Sequence, residues 1–295
     1  MSRTRPGGLI LSEEQPGSRH RRVFGRVFLA GMAVVVAGAA YLGVRGMNSP
    51  WATTGCQAKT GDTAFRYTSE QMANASTIVA IAKRRGLPAR AATIAVATAL
   101  QESKLRNLNY GDRDSLGLFQ QRTSQGWGTK AQILDPDFAT NAFYDALVKI
   151  KGYESMEITK VAQAVQRSAA PGAYADHEAE GRVLADTLSG YTPGGVGCSL
   201  GGATAAGDGT TLANLLDRET GLSATVSGKK VRINAHDARS AWAAGSWAVA
   251  KADLFQIKDV SVADQAWHRA KSDGAYTWHG ASAAVGAATV VITLN

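Results

Sequence analysis

The chain has 295 residues, 45% of them hydrophobic and 19% charged, values ordinary for folded domains, and it is long enough for two domains and a tail. Its formal net charge of +8 suits nucleic acid, an anionic membrane or a cell wall. Outside the N-terminus no Lys/Arg block interleaved with aromatics occurs, and there is no zinc-finger or RNA-binding signature, which sets nucleic acid aside as a partner.

Residues 1–26 are polar and end in RHRRVFGR. The next 18 residues, VFLAGMAVVVAGAAYLGV at 27–44, carry no charge, and a transmembrane helix needs roughly 17–25 apolar residues. Arg19, Arg21, Arg22 and Arg26 precede this stretch and Arg45 follows it. The positive-inside rule therefore predicts a single-pass protein of the cell membrane, with 1–45 as cytoplasmic tail and span and 46–295 outside. The alternative is a secreted protein: RRVFGR resembles a twin-arginine export motif, and Ala37-Gly38-Ala39 has the pattern of a cleavage site. Both readings export the remainder of the chain.

A spacer at 46–63 leads to a first domain at 64–190 that reads as helical. SEQMANASTIVAIAKRR has helical apolar spacing, although Ser69 followed by Met72 makes a poor capping box. Gly86 ends this helix, and Pro88 opens the next at a first-turn position. That second helix is apolar at nearly every position from Ala91 to Leu100, the pattern of a helix buried on all sides. Further helical patterns lie in DPDFATNAFYDALVKI, ITKVAQAVQRS and YADHEAEGRVLADTLSGY.

The Gly/Ala/Thr-rich stretch at 191–210 reads as a flexible linker. Beyond it, 211–295 reads as a small α/β accessory domain with an antiparallel sheet. It holds a short helix in TLANLLDRE, a hairpin around Ser227-Gly228, an amphipathic helix in DARSAWAAGSWAVAKADLF, and strands in IKDVSV, QAWHR, AYTWHG and ATVVITLN. The fold class expected for the whole is mainly α. Trp242, Trp247, Trp267 and Trp278 read by default as core residues; the alternative is a surface for a wall or envelope-protein partner. His236, His268 and His279 match no zinc spacing. Cys56 and Cys198 bracket the first domain. Outside the membrane they can form a disulfide; the alternative is two unrelated thiols, and neither has metal-ligand spacing.

The buried second helix ends in QESKLRNLNYGDRDSLGLFQQ, residues 101–121. Its last turn carries Glu102 into low dielectric and next to the negative end of the helix dipole. Both effects disfavour the carboxylate and raise its pKa. A carboxyl group that holds its proton near neutral pH is what general-acid chemistry requires.

Glu102-Ser103, followed by Gly117-Leu118-Phe119-Gln120 with Gln120 eighteen residues after Glu102, resembles the soluble lytic transglycosylase and goose-type lysozyme group. That group's pattern is Glu-Ser, a loop, then Gly-Leu-Met-Gln at this spacing. Asp135-Pro136 with Asn141 is similar to its Asp-Pro…Asn element, and the resemblance covers about residues 70–190. It implies a lysozyme-like helical domain that cleaves the MurNAc–GlcNAc β-1,4 bond of peptidoglycan, with Glu102 as the acid and no cofactor or metal. A catalytically weak or inactive version that binds glycan strands as an envelope scaffold is the alternative.

The resemblance makes Ser103, Gln120 and Asn141 candidate substrate-binding residues. Departures from the pattern stand at Asp114-Ser115, at Tyr144, and at 164–168, where Ala-Val-Gln-Arg-Ser replaces the family's Ala-Tyr-Asn-Ala-Gly. Tyr174 is the candidate to supply the missing tyrosine. Tyr110 and Trp127 are candidate sugar platforms or partly buried loop aromatics. Asp112 and Asp114 are a candidate second carboxylate for an inverting hydrolysis, which needs carboxyls roughly 6.5–9.5 Å apart; the plainer reading is a turn cap or a pairing with Arg113 and Arg106.

Overall fold

The first described elements are strands. A computed structural model of the protein describes residues 54–166 and 171–295. Strand β1 (Gly55–Thr60) turns through Gly61-Asp62 into β2 (Thr63–Tyr67). Both fall where a spacer and the start of a helical domain were expected. Three helices of the first half follow: α1 (Ser69–Arg84), α2 (Ala89–Ser103) and, beyond the loop after Glu102, the four-residue α3 (Lys130–Ile133). Between α2 and α3 lies a short hairpin of β3 (Ser115–Leu116) and β4 (Gln121–Arg122). Then come α4 (Pro136–Leu147), α5 (Ile158–Gln166), a 3₁₀ turn at Pro171–His177, and α6 (Glu178–Leu188).

Helix α1 begins one residue earlier in its capping than its sequence suggests. Thr68 accepts from the Gln71 N–H, and the Gln71 side chain accepts from the Thr68 N–H, a complete capping box. Helix α2 is buried from Ala91 through Leu100, as its apolar run requires. It packs chiefly on α6, and Gly181 permits the approach: a Cβ there would lie 2.9 Å from the Thr93 carbonyl oxygen and 3.3 Å from the Ala97 Cβ.

The second half opens with β5 (Val196–Ser199), inside the stretch expected to be a flexible linker. It pairs antiparallel with β1, placing Cys198 directly opposite Cys56, and the two form a disulfide. Helix α7 (Gly209–Thr220) is capped by Asp208. The hairpin β6 (Ala224–Ser227)–β7 (Lys230–Asn234) turns at Ser227-Gly228 as expected. Helix α8 (Ala238–Ala250) then leads to β8 (Ile257–Val262), β9 (Gln265–His268), β10 (His279–Gly280) and β11 (Thr289–Leu294). The sheet order is β10-β9-β8-β11-β7-β6, six strands, all neighbours antiparallel. Helix α8 was expected to be amphipathic, yet it is buried from Ala243 to Ala250, because the sheet lies on one side and α1 on another.

Three expectations are corrected by this architecture. The fold is mixed α/β rather than mainly α: among the described residues there are three antiparallel sheets, one of six strands and one of three that takes β5 from the expected linker. The described residues form one compact unit rather than two domains on a flexible tether. The physical reason is a shared core: Glu219 of α7 and Lys251 after α8, 3% and 4% exposed, meet Thr77 of α1. The Lys251 ammonium donates to Thr77 Oγ1 at 2.7 Å and to Glu219 Oε1 at 3.2 Å, Thr77 donates to Glu219 at 2.9 Å, and the Trp247 indole donates to the other Glu219 oxygen at 2.6 Å.

The third correction concerns placement in a single-pass membrane protein. No helix among the described residues is long and apolar enough to cross a membrane, and the stretch 27–44 lies outside them. The feature that bears on compartment is the Cys56–Cys198 bond, a linkage that persists in oxidising surroundings.

Candidate active site

Glu102 stands in the last turn of α2, which ends at Ser103. The chain leaves the helix through two consecutive left-handed residues, Lys104 at φ 54° and Leu105 at φ 59°. A non-glycine residue at positive φ is uncommon and persists only where its surroundings hold it. Helix α1 does the holding: the Gln71 amide donates to the Lys104 carbonyl and the Asn74 amide to the Leu105 carbonyl, each at 2.8 Å, and the Leu105 side chain is fully buried. Among the described residues six non-glycine positions have positive φ, and four of them, Lys104, Leu105, Arg113 and Gln120, lie in this one loop. Strain of this kind concentrates at functional sites.

The two halves of the Glu-Ser…Gly-Leu-Phe-Gln pattern are physically joined. Buried Ser103 donates from Oγ to the Leu118 carbonyl at 2.7 Å, across fifteen residues of sequence. Gly117 sits at φ 76°, where a Cβ would meet the Ile133 carbonyl oxygen at 2.5 Å, so that position admits no other residue without displacement. The hairpin turn is thereby pressed against the end of α2. Ser103 is a brace rather than a group free to bind a sugar.

Two side chains converge on the Glu102 carboxyl group. The hydroxyl of Tyr174, itself 1% exposed, donates to Glu102 Oε1 at 2.6 Å. The Gln166 side chain, at the end of α5, also hydrogen-bonds Glu102 and donates to the Phe119 carbonyl in the hairpin turn. Burial lifts the Glu102 pKa above the ordinary carboxylate range; the hydrogen bonds from Tyr174 and Gln166 favour the ionised form and pull it down, and burial prevails. Gln166 was not singled out from the sequence. The signal available was its place in Ala-Val-Gln-Arg-Ser, the segment that departs from the family pattern.

The other expected site residues divide by what they touch. Gln120 is half-buried, at φ 47°, and its amide donates to the Tyr110 and Gly117 carbonyls at 3.3 Å each. Tyr110 is 65% exposed, with its ring available to a ligand. Trp127 is half-buried and lines a groove of about 500 Å³ with Ala142, Lys149 and Val165; Glu102 is not among its lining residues. Asn141 is committed to structure: its amide donates to Asp137, and its side-chain oxygen accepts from Arg84 and Arg85. Tyr144, fully buried, donates to the Ile78 carbonyl at 3.0 Å and belongs to the core.

The candidate second carboxylates take the plainer reading. Asp112 is exposed and lies 3.9 Å from Arg113. Asp114 accepts from the Ser124 N–H at 2.8 Å, the Arg122 guanidinium at 2.7 Å and the Ser124 hydroxyl at 3.0 Å, which hold its pKa well below the usual carboxylate range. It braces β4 and the turn that follows. No protein-family model and no curated protein matches the chain, so a functional reading rests on these side chains and on the motif they carry.

Proposed function

We propose that this protein is a lysozyme-like glycosidase that cleaves the MurNAc–GlcNAc β-1,4 bond of peptidoglycan glycan strands, with Glu102 as its general acid. The observation that carries the reading is the linkage of the motif: Ser103 ties the end of α2 to the Gly117–Gln120 turn while Glu102, half-buried with a raised pKa, stands beside that turn. A protonated Glu102 would deliver its proton to the glycosidic oxygen as the C1–O bond breaks. Asp114 has its oxygens occupied by Arg122 and Ser124, and this favours a single-carboxylate route over a two-carboxylate inverting hydrolysis. In that route the Glu102 carboxylate takes a proton from the muramyl 6-hydroxyl, whose oxygen bonds to C1. The product is a 1,6-anhydro sugar, no water is consumed, and Glu102 returns to its protonated form.

The second reading, a glycan-binding scaffold with little or no activity, is favoured by one observation: Gln120 and Asn141 both use their side-chain amides inside the protein. Digestion of purified peptidoglycan by the full-length protein, wild type and Glu102→Gln, with products read by mass spectrometry, separates the two. Anhydro-muropeptides from wild type alone support the enzyme. Retention of both proteins on sacculi with no product from either supports the scaffold.

A further inference from the structure

Away from Glu102, the C-terminal end of α1 faces α8 across a cleft in which apolar walls meet unpaired positive charge. One cavity, of about 330 Å³, is walled by Ala80, Leu188, Leu222, Ala243 and Trp247, with Lys83 and His236 at its rim. Its volume is in the range of small-ligand sites, which are mostly apolar with a few placed polar groups. A second cavity, of about 220 Å³, adjoins it: Lys83 lines both, and Tyr191 and Arg239 face the second. Gly190 keeps the cleft tight, since a Cβ there would lie 2.2 Å from the Arg239 carbonyl oxygen.

The charges around the cleft are unbalanced. Lys83 is half-buried and is in none of the ion pairs found among the described residues. Burial lowers its pKa, the charge of Arg239 lowers it further, and Asp237 opposes both. Asp237 accepts from the Ser240 N–H at 2.6 Å as the cap of α8; its carboxylate keeps its charge and acts on Lys83 without forming an ion pair with it. Arg84 is directed elsewhere, toward the Arg218 carbonyl and Asn141. Arg239 lies over the Tyr191 ring and donates to its hydroxyl at 2.9 Å. Glu219 is buried, does not line the cavity, and is engaged by the Trp247 indole N–H and by Lys251. A half-buried ammonium in no ion pair, with Arg239 beside it and Asp237 acting only from beyond ion-pair distance, is complementary, when set beside an apolar cavity, to an anion with an apolar body.

We propose that this cleft binds a small amphipathic carboxylate, with the apolar body against Leu188, Leu222 and Trp247 and the carboxylate on Lys83. The site is independent of the Glu102 chemistry and stands or falls without it. The first probe is 8-anilinonaphthalene-1-sulfonate, an aromatic anion whose fluorescence rises on entering an apolar site, with uncharged N-phenyl-1-naphthylamine as its control. On the full-length protein, the anion is expected to saturate at one equivalent per chain, with energy transfer from tryptophan. Lys83→Gln should weaken the anion about tenfold, the scale of one charge-assisted contact, and leave the uncharged control unchanged. Lys83→Arg should keep the anion's affinity, and Leu222→Trp, which fills the cavity, should abolish both. Near-ultraviolet circular dichroism of each variant establishes that it is folded.

Competition identifies the source of the carboxylate. Displacement by octanoate points to an alkanoate, and displacement by acetyl-Leu-Leu free acid but not its amide points to a peptide C-terminus. Absence of one-site saturation, equal loss of anion and control in folded Lys83→Gln, or displacement by neither competitor would overturn the proposal.

Discussion

Replacing Lys251 by Met tests the claim that the helical half and the sheet half share one core. The substitution conserves most of the side-chain volume and the alkyl stem but removes the charge. In the native protein the Glu219 carboxylate receives hydrogen bonds from Lys251, Thr77 and Trp247, and both ionic side chains are at most 5% exposed. Without the ammonium, a buried carboxylate keeps two neutral donors and no counter-charge, a change expected to cost about 3–5 kcal/mol. For a protein of this size each kcal/mol moves the melting temperature by about 2–4 °C, so the expected fall is about 6–20 °C. The paired replacement Glu219→Leu with Lys251→Met removes both charges, and buried pairs exchanged for apolar groups are often neutral, so it should recover most of the loss. Urea unfolding of the disulfide-bonded protein, followed by fluorescence and by far-ultraviolet circular dichroism, gives the free energies and shows whether the two probes coincide. A loss below about 1 kcal/mol for Lys251→Met, or a double variant no better than the single one, would refute the reasoning. Two separate transitions in the wild type would refute the shared core itself.

Tyr174→Phe removes a hydrogen bond that favours the ionised form of Glu102, so its pKa should rise further. The alkaline limb of a Glu102-dependent activity, which falls as pH rises through that pKa, should shift to higher pH, and a pH profile of peptidoglycan cleavage reads the shift. The raised pKa also has a stability consequence. The folded state retains the Glu102 proton above the unfolded value, so stability declines as pH rises from the unfolded pKa through the folded one; Glu102→Gln should remove that part of the decline in melting curves from pH 4 to 8. Reduction of the disulfide, which closes a separation of 142 residues, should lower stability by about 2–5 kcal/mol in urea titrations with and without reductant. Gly181→Val would force α2 and α6 apart at the Thr93 carbonyl, costing about 1–3 kcal/mol in the same assay.

Local chemistry was legible where a short pattern governs the outcome. The apolar run of α2, the Ser227-Gly228 turn and the strand IKDVSV all fall where propensity and periodicity put them. Glu102 was singled out because the helix that carries it is apolar all round, and Tyr174 because this chain lacks, at 164–168, the tyrosine of the pattern it resembles; the structure brings their side chains to 2.6 Å. What escaped was set by contacts distant in sequence. GCQAKT and VGCS are too short and too rich in small or polar residues to read as strands. They become strands because each supplies the other's backbone partners. The same holds for Glu219 and Lys251. A charged residue at the end of a helix ordinarily faces solvent, and nothing in TLANLLDRE or AVAKADLF shows that two such residues meet in the interior. Gln166 illustrates the reverse case: a departure from a pattern marked its neighbourhood, but only the fold shows that its amide reaches both Glu102 and the turn opposite.

The Cys56–Cys198 bond also determines how the protein would carry tension. A pull applied to the chain before Cys56 and after Cys198 travels through the sulfur–sulfur link, and the intervening 142 residues of separation are bypassed. All of α1 to α6, with Glu102 among them, lies inside that closed loop. Of the described elements, those of the six-stranded half are the ones that could be drawn out under stretching while the bond is intact. Cleaving the bond would release roughly 480 Å of additional contour length at about 3.4 Å per extended residue. A single-molecule force trace taken with and without reductant would show that length as a step.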